Sequence, residues 1–251
     1  MRAQVNGIAI DYEVTGDGPV VLLGHGYGST RHMWDEQHRA LADRWRVVSW
    51  DMRGHGQTDS PDDPARYSAA LTVADMRALL QHLGVERAVI GGLSLGGYVS
   101  LAFVLAHPEM TRALVICDSG PGYRNAEARA QWNQRAHERA ANLEAKGLEA
   151  LARRSRETQQ AVHRSAQGLA HAARGMLAQE GSQVIDGLGS IRVPTLVIVG
   201  DQDQPFVAPS EYMAKKIPGA RLEVIPGAGH SSNLDQPETF NRILREFLAS
   251  L

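Results

Sequence analysis

Short aliphatic runs recur along this chain, separated by amphipathic or Ala/Leu-rich segments, and that alternation constrains the fold more than any other feature. Residues 20–24, 47–51, 88–92, 113–117, 195–200 and 221–225 read as strands. Helical candidates fall at 33–43, 72–83, 95–106, 209–217 and 237–251, each opened or closed by Gly, Pro or a short polar residue. Repetition of this kind implies a mostly parallel sheet covered by helices on both faces. Upstream, residues 5–14 alternate and run into the turn Gly16-Asp17-Gly18-Pro19, which reads as an edge hairpin with the strand at 20–24.

The alternation breaks once. From 124 to 188 no strand-like run occurs, and the segment is rich in Ala, Arg, Gln and Glu, with sparse anchors at Trp132, Leu143, Leu148, Leu151, Val162, Leu169, Met176 and Leu177. A structureless loop of that length is improbable inside a compact domain. The expectation is a helical cap at 124–188 inserted into a core formed by 1–123 and 189–251. Between Arg124 and Arg174 ten Arg/Lys face five Glu, an excess of +5 that leaves -7 on the rest of the chain. Either a solvated helical face or selection of an anionic substrate would account for it. The solvated face is preferred, because Glu149/Arg153 and Arg153/Glu157 stand at i,i+4 spacing.

A length of 251 residues suits one elaborated α/β domain, and a net charge of -2 gives no electrostatic footprint for nucleic acid. The single cysteine, Cys117, permits neither an intrachain disulfide nor a cysteine metal cage. No His/Asp/Glu cluster shows metal-ligand spacing. Gln4, Asn6 and Asp11 interrupt any secretory apolar region, which points to a cytoplasmic location. Residues 88–106 carry no charge and approach the length of a membrane span, yet four glycines in the first half divide them into a strand and a helix, so no membrane association is expected.

The strongest chemical signal is Gly92-Leu93-Ser94-Leu95-Gly96, set between a strand and a helix. A serine at so sharp a turn projects its hydroxyl above the sheet edge, and glycines two residues to either side remove clashing side chains. A serine hydroxyl needs a base and an orienting acid. His230, in a glycine-rich loop after the last strand, and Asp203, after the strand at 195–200, follow in the order Ser, Asp, His. Asp201 and Asp118 compete with Asp203 for the acid. Of the other histidines, His32, His38, His82, His107, His137, His163 and His171 read as solvated or half-buried, while His25 and His55 lie in glycine-flanked loops. Gly24-His25-Gly26-Tyr27-Gly28 lacks the spacing of a nucleotide loop but fits an oxyanion loop, with the amides of Tyr27 and Leu95 as donors.

These pieces together resemble the α/β-hydrolase fold superfamily: HGYG at 25–28, DMRGHGQTDSP at 51–61, GLSLGG at 92–97, GDQD at 200–203 and GAGH at 227–230. The resemblance implies a mostly parallel sheet of about eight strands with the helical cap after strand six, and Arg53, Gly54 and His55 as scaffold near the site. Within the superfamily the chain is similar to small bacterial carboxylesterases and 3-oxoadipate enol-lactonases, which implies a cofactor-free hydrolase acting on a small ester or lactone through an acyl-serine. Relatives with Asp in place of Ser94, the haloalkane dehalogenases and epoxide hydrolases, are disfavoured. Carbon–carbon hydrolysis, perhydrolysis, or a ligand receptor with a retained triad remain as alternatives. From position, Met33, Tyr123, Trp132 and Val207 are expected to wall the substrate pocket.

Overall fold

The computed structural model describes residues 1–151, 156–159 and 161–251, so Arg153 and the two ion pairs expected of it lie outside the described residues. Eight strands form one sheet in the order β1-β2-β4-β3-β5-β6-β7-β8. They are β1 (Arg2–Val5), β2 (Ile8–Thr15), β3 (Val20–Gly24), β4 (Arg46–Trp50), β5 (Ala88–Leu93), β6 (Thr111–Cys117), β7 (Thr195–Gly200) and β8 (Arg221–Ile225). From β4 to β8 all pairings are parallel. Strands β3, β5 and β7 are buried at every position, which is why they read as unbroken aliphatic runs rather than alternating ones.

The expected edge hairpin is drawn differently. Residues 5–14 are two strands, turned by Asn6 and Gly7 at φ 49° and 74°, so the antiparallel hairpin is β1–β2. An Asn-Gly pair supplies the two positive φ angles that a tight hairpin turn requires. β2 then pairs with β4, and β3 lies one strand further in.

The helices are α1 (Asp35–Leu41), α2 (Ala69–His82), α3 (Leu95–Ala106), α4 (Ala126–Lys146), α5 (Arg156–Gln159), α6 (Ala166–Ala172), α7 (Gln183–Gly187), α8 (Gln204–Lys216), α9 (Ser232–Asp235) and α10 (Pro237–Ala249). Ser68 caps α2 by accepting from the Leu71 amide, and Asn125 caps α4 from Ala128. Helix α10 buries Phe240, Ile243, Leu244, Phe247 and Leu248 at three- and four-residue spacing, the stripe a surface helix needs to seat on a sheet. The uncharged stretch at 88–106 divides into β5 and α3, and no helix among the described residues is long and apolar enough to cross a membrane.

Helices α4 to α7 fall between β6 and β7. Ala136, Ala140, Leu143, Leu169, Met176 and Leu177 share a core with Tyr27, Met52, Tyr67 and Leu95 on one face of the sheet, so the inserted helices complete that core rather than build their own. Two expected anchors are not anchors: Val162 is 71% exposed and Leu148 is 38% exposed. Beside them, Ala150 and Leu151 pack on the core, and His163 is held by polar contacts. The strand order reverses at β3, between β4 and β5, and the carboxyl ends of the strands there open the crevice in which such sheets bind ligands.

Candidate active site

Ser94 ends β5 and caps α3 with φ 54° and ψ -113°, a conformation that side-chain-bearing residues rarely adopt. The turn is possible because its neighbours are bare. A Cβ on Gly96 would lie 2.3 Å from the Gly24 carbonyl oxygen, and one on Gly92 would lie 2.5 Å from the Gly96 carbonyl carbon. The backbone is held from the next strand: the Ser94 amide donates to the Cys117 carbonyl (3.0 Å), and Ser119 Oγ donates to the Ser94 carbonyl (2.6 Å). Because α3 begins at Leu95, that amide belongs to the first-turn donors without an intrahelical acceptor.

His230, beyond β8, donates from Nδ1 to Asp203 Oδ2 at 2.8 Å. Asp203, beyond β7, is 5% exposed. With Nδ1 carrying the proton, Nε2 keeps a lone pair. His230 and Ser94 line the same cavity, of about 380 Å³, together with Gly26, Tyr27 and Asp203. Burial alone would lower the His230 pKa, but the hydrogen bond and charge of Asp203, with the charges of Asp118 and Glu157 behind it, outweigh burial and raise it above 6.5. The Phe206 ring stacks on the imidazole, centroids 4.9 Å apart.

The two competing carboxylates are engaged elsewhere. Asp201 Oδ1 accepts from the Gly227 amide at 2.8 Å. Asp118 stands fully buried at φ 44°, accepting from the Gly200 amide (2.8 Å) and from the amide (3.1 Å) and hydroxyl (2.5 Å) of Ser232. It joins the ends of β6 and β7 to α9, and burial pushes its carboxyl up to about 7.

The loop after β3 packs close to Ser94: a Cβ on Gly26 would lie 3.5 Å from Ser94 Cβ. His25 braces it, accepting at Nε2 from the Met52 amide (2.9 Å), which leaves Nδ1 protonated to donate to the Gly26 carbonyl (2.7 Å). Burial lowers its pKa to about 4, so the ring stays neutral. His55 packs between His25, with the rings tilted at 56°, and Tyr27, which it meets edge to face at 88°. The inserted helices reach the same loop. Tyr27 Oη donates to the Leu169 carbonyl (2.8 Å), Ser29 Oγ donates to the Glu157 carbonyl (3.1 Å), and His163 donates from Nε2 to the Gly28 carbonyl (3.0 Å) while its Nδ1 accepts from the Gly56 amide (2.9 Å). Glu157 also accepts from Ser231 Oγ, beside His230. His163, His171 and His38 are thus buried rather than solvated or half-buried as expected, His38 between Thr15 Oγ1 and Ser49 Oγ.

Of the expected pocket walls, Tyr123 and Trp132 line a second, smaller cavity of about 60 Å³ that opens on Ser94, and Trp132 borders both. Met33 does not reach either cavity. It is buried in the core on the opposite sheet face with Trp34 and Phe240, where its carbonyl accepts from Asn233. Val207 lines neither cavity, since on α8 Pro205 and Phe206 occupy the facing positions. Sequence reasoning missed Tyr98, Leu177, Gln179 and Phe206. Arg135 and Arg139, one turn apart on α4, are exposed, as a solvated helical face implies, and they also border the larger cavity. Among the described residues one trio, Glu13, His32 and Asp35, has metal-ligand proximity, but Glu13 is paired with Arg31 and none of the three borders the cavity that Ser94 and His230 share.

Comparisons with known proteins agree with this architecture. The profile of the alpha/beta hydrolase family matches residues 20–243. The chain is 28% identical to a putative 2-succinyl-6-hydroxy-2,4-cyclohexadiene-1-carboxylate synthase of Bacillus subtilis, covering 96% of each chain. It is 28% identical to 3-oxoadipate enol-lactonase 1 of Acinetobacter baylyi over 98% of this chain and 95% of that one. A solved esterase from Thermogutta terrifontis superposes with a TM-score of 0.87 at 30% identity, covering 100% of this chain and 98% of the other. A match over residues 20–243, most of the chain, makes this protein a member of the alpha/beta hydrolase family.

Proposed function

We propose that this protein is a serine hydrolase that cleaves the ester or lactone bond of a small molecule through an acyl-Ser94 intermediate. The observation that carries the reading is the 2.8 Å bond from His230 Nδ1 to Asp203, which leaves Nε2 available in the cavity that Ser94 shares. Relatives named as an enol-lactonase and an esterase support the choice of bond.

In this reading His230 Nε2 takes the Ser94 proton as Oγ attacks the carbonyl carbon, and Asp203 holds the tautomer and stabilises the imidazolium. The tetrahedral oxyanion lies between the Tyr27 and Leu95 amides, where losing one such donor costs about 10²–10³ in rate. The imidazolium then protonates the leaving alkoxide, and a water activated by the same nitrogen releases the acid. Protons and electron pairs balance without a cofactor.

A fluorophosphonate probe, with the adduct located by mass spectrometry, and a panel of short aryl esters and lactones test the reading together. Labelling at Ser94 with turnover supports it; an unlabelled Ser94 and no turnover on any panel member would overturn it.

The histidine sets the pH dependence. As a base it must be neutral, and its pKa is raised, so kcat/KM should fall as pH drops through a value above 6.5. Asp203→Asn removes the largest raising influence. It should lower kcat by about 10⁴-fold and move the acid limb of the profile to lower pH. An unchanged limb in the variant would separate Asp203 from the imidazole's titration.

A further inference from the structure

Ser94 opens onto the smaller cavity, where beyond Ser94 and Ser119, whose hydroxyl is given to the Ser94 carbonyl, the walls are mainly apolar: Leu95, Tyr98, Tyr123, Trp132, Leu177 and Phe206. One carboxamide interrupts them. Gln179 lines this cavity at 8% exposure, and its side chain makes no hydrogen bond among the described residues, with Oε1 fully shielded. A buried amide left unsatisfied costs free energy, and few are retained without a partner that arrives later.

The setting of that side chain is built. Asn133 grips the Gln179 backbone from both sides, Oδ1 accepting from its amide (2.8 Å) and Nδ2 donating to its carbonyl (2.9 Å). On the far side stands Gly122 at φ 87°, where a Cβ would lie 2.7 Å from Gln179 Oε1. Any larger residue there would displace the carboxamide.

We propose that Gln179 is a specificity-determining residue that reads a hydroxyl on one arm of the substrate, so that the substrate class is an ester or lactone with a hydroxyl-bearing rather than a hydrocarbon arm. The inference rests on the hydrolase reading above. A hydroxyl both donates and accepts, and so satisfies the carboxamide whichever way its oxygen and nitrogen point. A carboxylate fits less well, since no cation lines this cavity to pair with it. The cavity, about 60 Å³, suits an arm of only a few heavy atoms.

The test uses substrate pairs in which a terminal methyl is exchanged for a hydroxyl. In the acyl arm these are the p-nitrophenyl esters of butyrate and 3-hydroxypropionate; in the alcohol arm they are propyl acetate and 2-hydroxyethyl acetate. For each pair the hydroxyl-to-methyl ratio of kcat/KM is measured in the wild type and in Gln179→Leu, with Gln179→Met as a second, unbranched variant. In one arm the ratio should fall about 10- to 100-fold on substitution, because the variant no longer has a polar group to leave unpaired. The same pairs are titrated by calorimetry into Ser94→Ala with and without the Gln179 substitutions, which reads the preference independently of turnover. Ratios and affinities that do not change in either arm would overturn the assignment while ester hydrolysis stands. Absence of hydrolysis in every pair would instead overturn the hydrolase reading, and the calorimetry would still decide on Gln179.

Discussion

Ser94→Ala is expected to lower kcat/KM on a short aryl ester by about 10⁴–10⁶-fold while leaving the far-ultraviolet circular dichroism unchanged. The companion variant Ser94→Gly should be just as inactive and more stable than the wild type. At φ 54° and ψ -113° the serine holds backbone strain of about 1–3 kcal/mol, which glycine does not suffer. Against that gain stands the greater freedom of glycine in the unfolded chain, about 0.5–1 kcal/mol. The balance is a stabilisation of about 1 kcal/mol, or a rise in Tm of roughly 2–4 °C for a chain of this size. Calorimetric melting of the three proteins checks it. A Ser94→Gly protein that melts below Ser94→Ala would show that the turn is not strained.

Asp75→Ala should produce the largest loss of stability. Arg53 Nε and Nη2 donate to the two Asp75 oxygens at 2.7 Å each, and both side chains are wholly buried. Burial pushes the Asp75 carboxyl up despite Arg53, a sign that desolvation weighs heavily on this pair. Removing one partner strands the other's charge in the interior, at a cost of about 3–5 kcal/mol. Replacing both, as in Arg53→Met/Asp75→Leu, removes the stranded charge along with the attraction and should recover most of the loss. Urea unfolding of the single and double variants decides: equal losses in both would mean that packing, and not an orphaned guanidinium, sets the cost.

Much of the fold was legible because the informative signals are local. A strand buried on both faces must be aliphatic throughout, so β3 and β7 could be bounded from the sequence to the residue. Glycines at 92 and 96 mark a turn that no other residue permits, and loops following β7 and β8 are confined to one edge of the sheet. Asn6-Gly7 carried an equally local hairpin signal that was passed over in favour of Gly16–Pro19. Pocket walls were legible only in part. Phe206, Leu177 and Gln179 meet Ser94 through tertiary approach of α8 and the inserted helices, which no spacing along the chain encodes. Met33 and Val207 failed for the same reason, being near the site in sequence terms but turned into another core or away from both cavities. The histidines at 38, 163 and 171 read as solvated or half-buried because full burial depends on partners far away in the chain, such as Gly28 and Gly56 for His163.

The contacts of His163, Leu169 and Glu157 with the loop that follows β3 join two tasks that are often treated as separable. The segment best suited to remodelling for new substrates is also the buttress of the loop assigned to the oxyanion. Libraries that diversify these helices to broaden selectivity should therefore lose turnover first, and keep it only where those three anchors are retained.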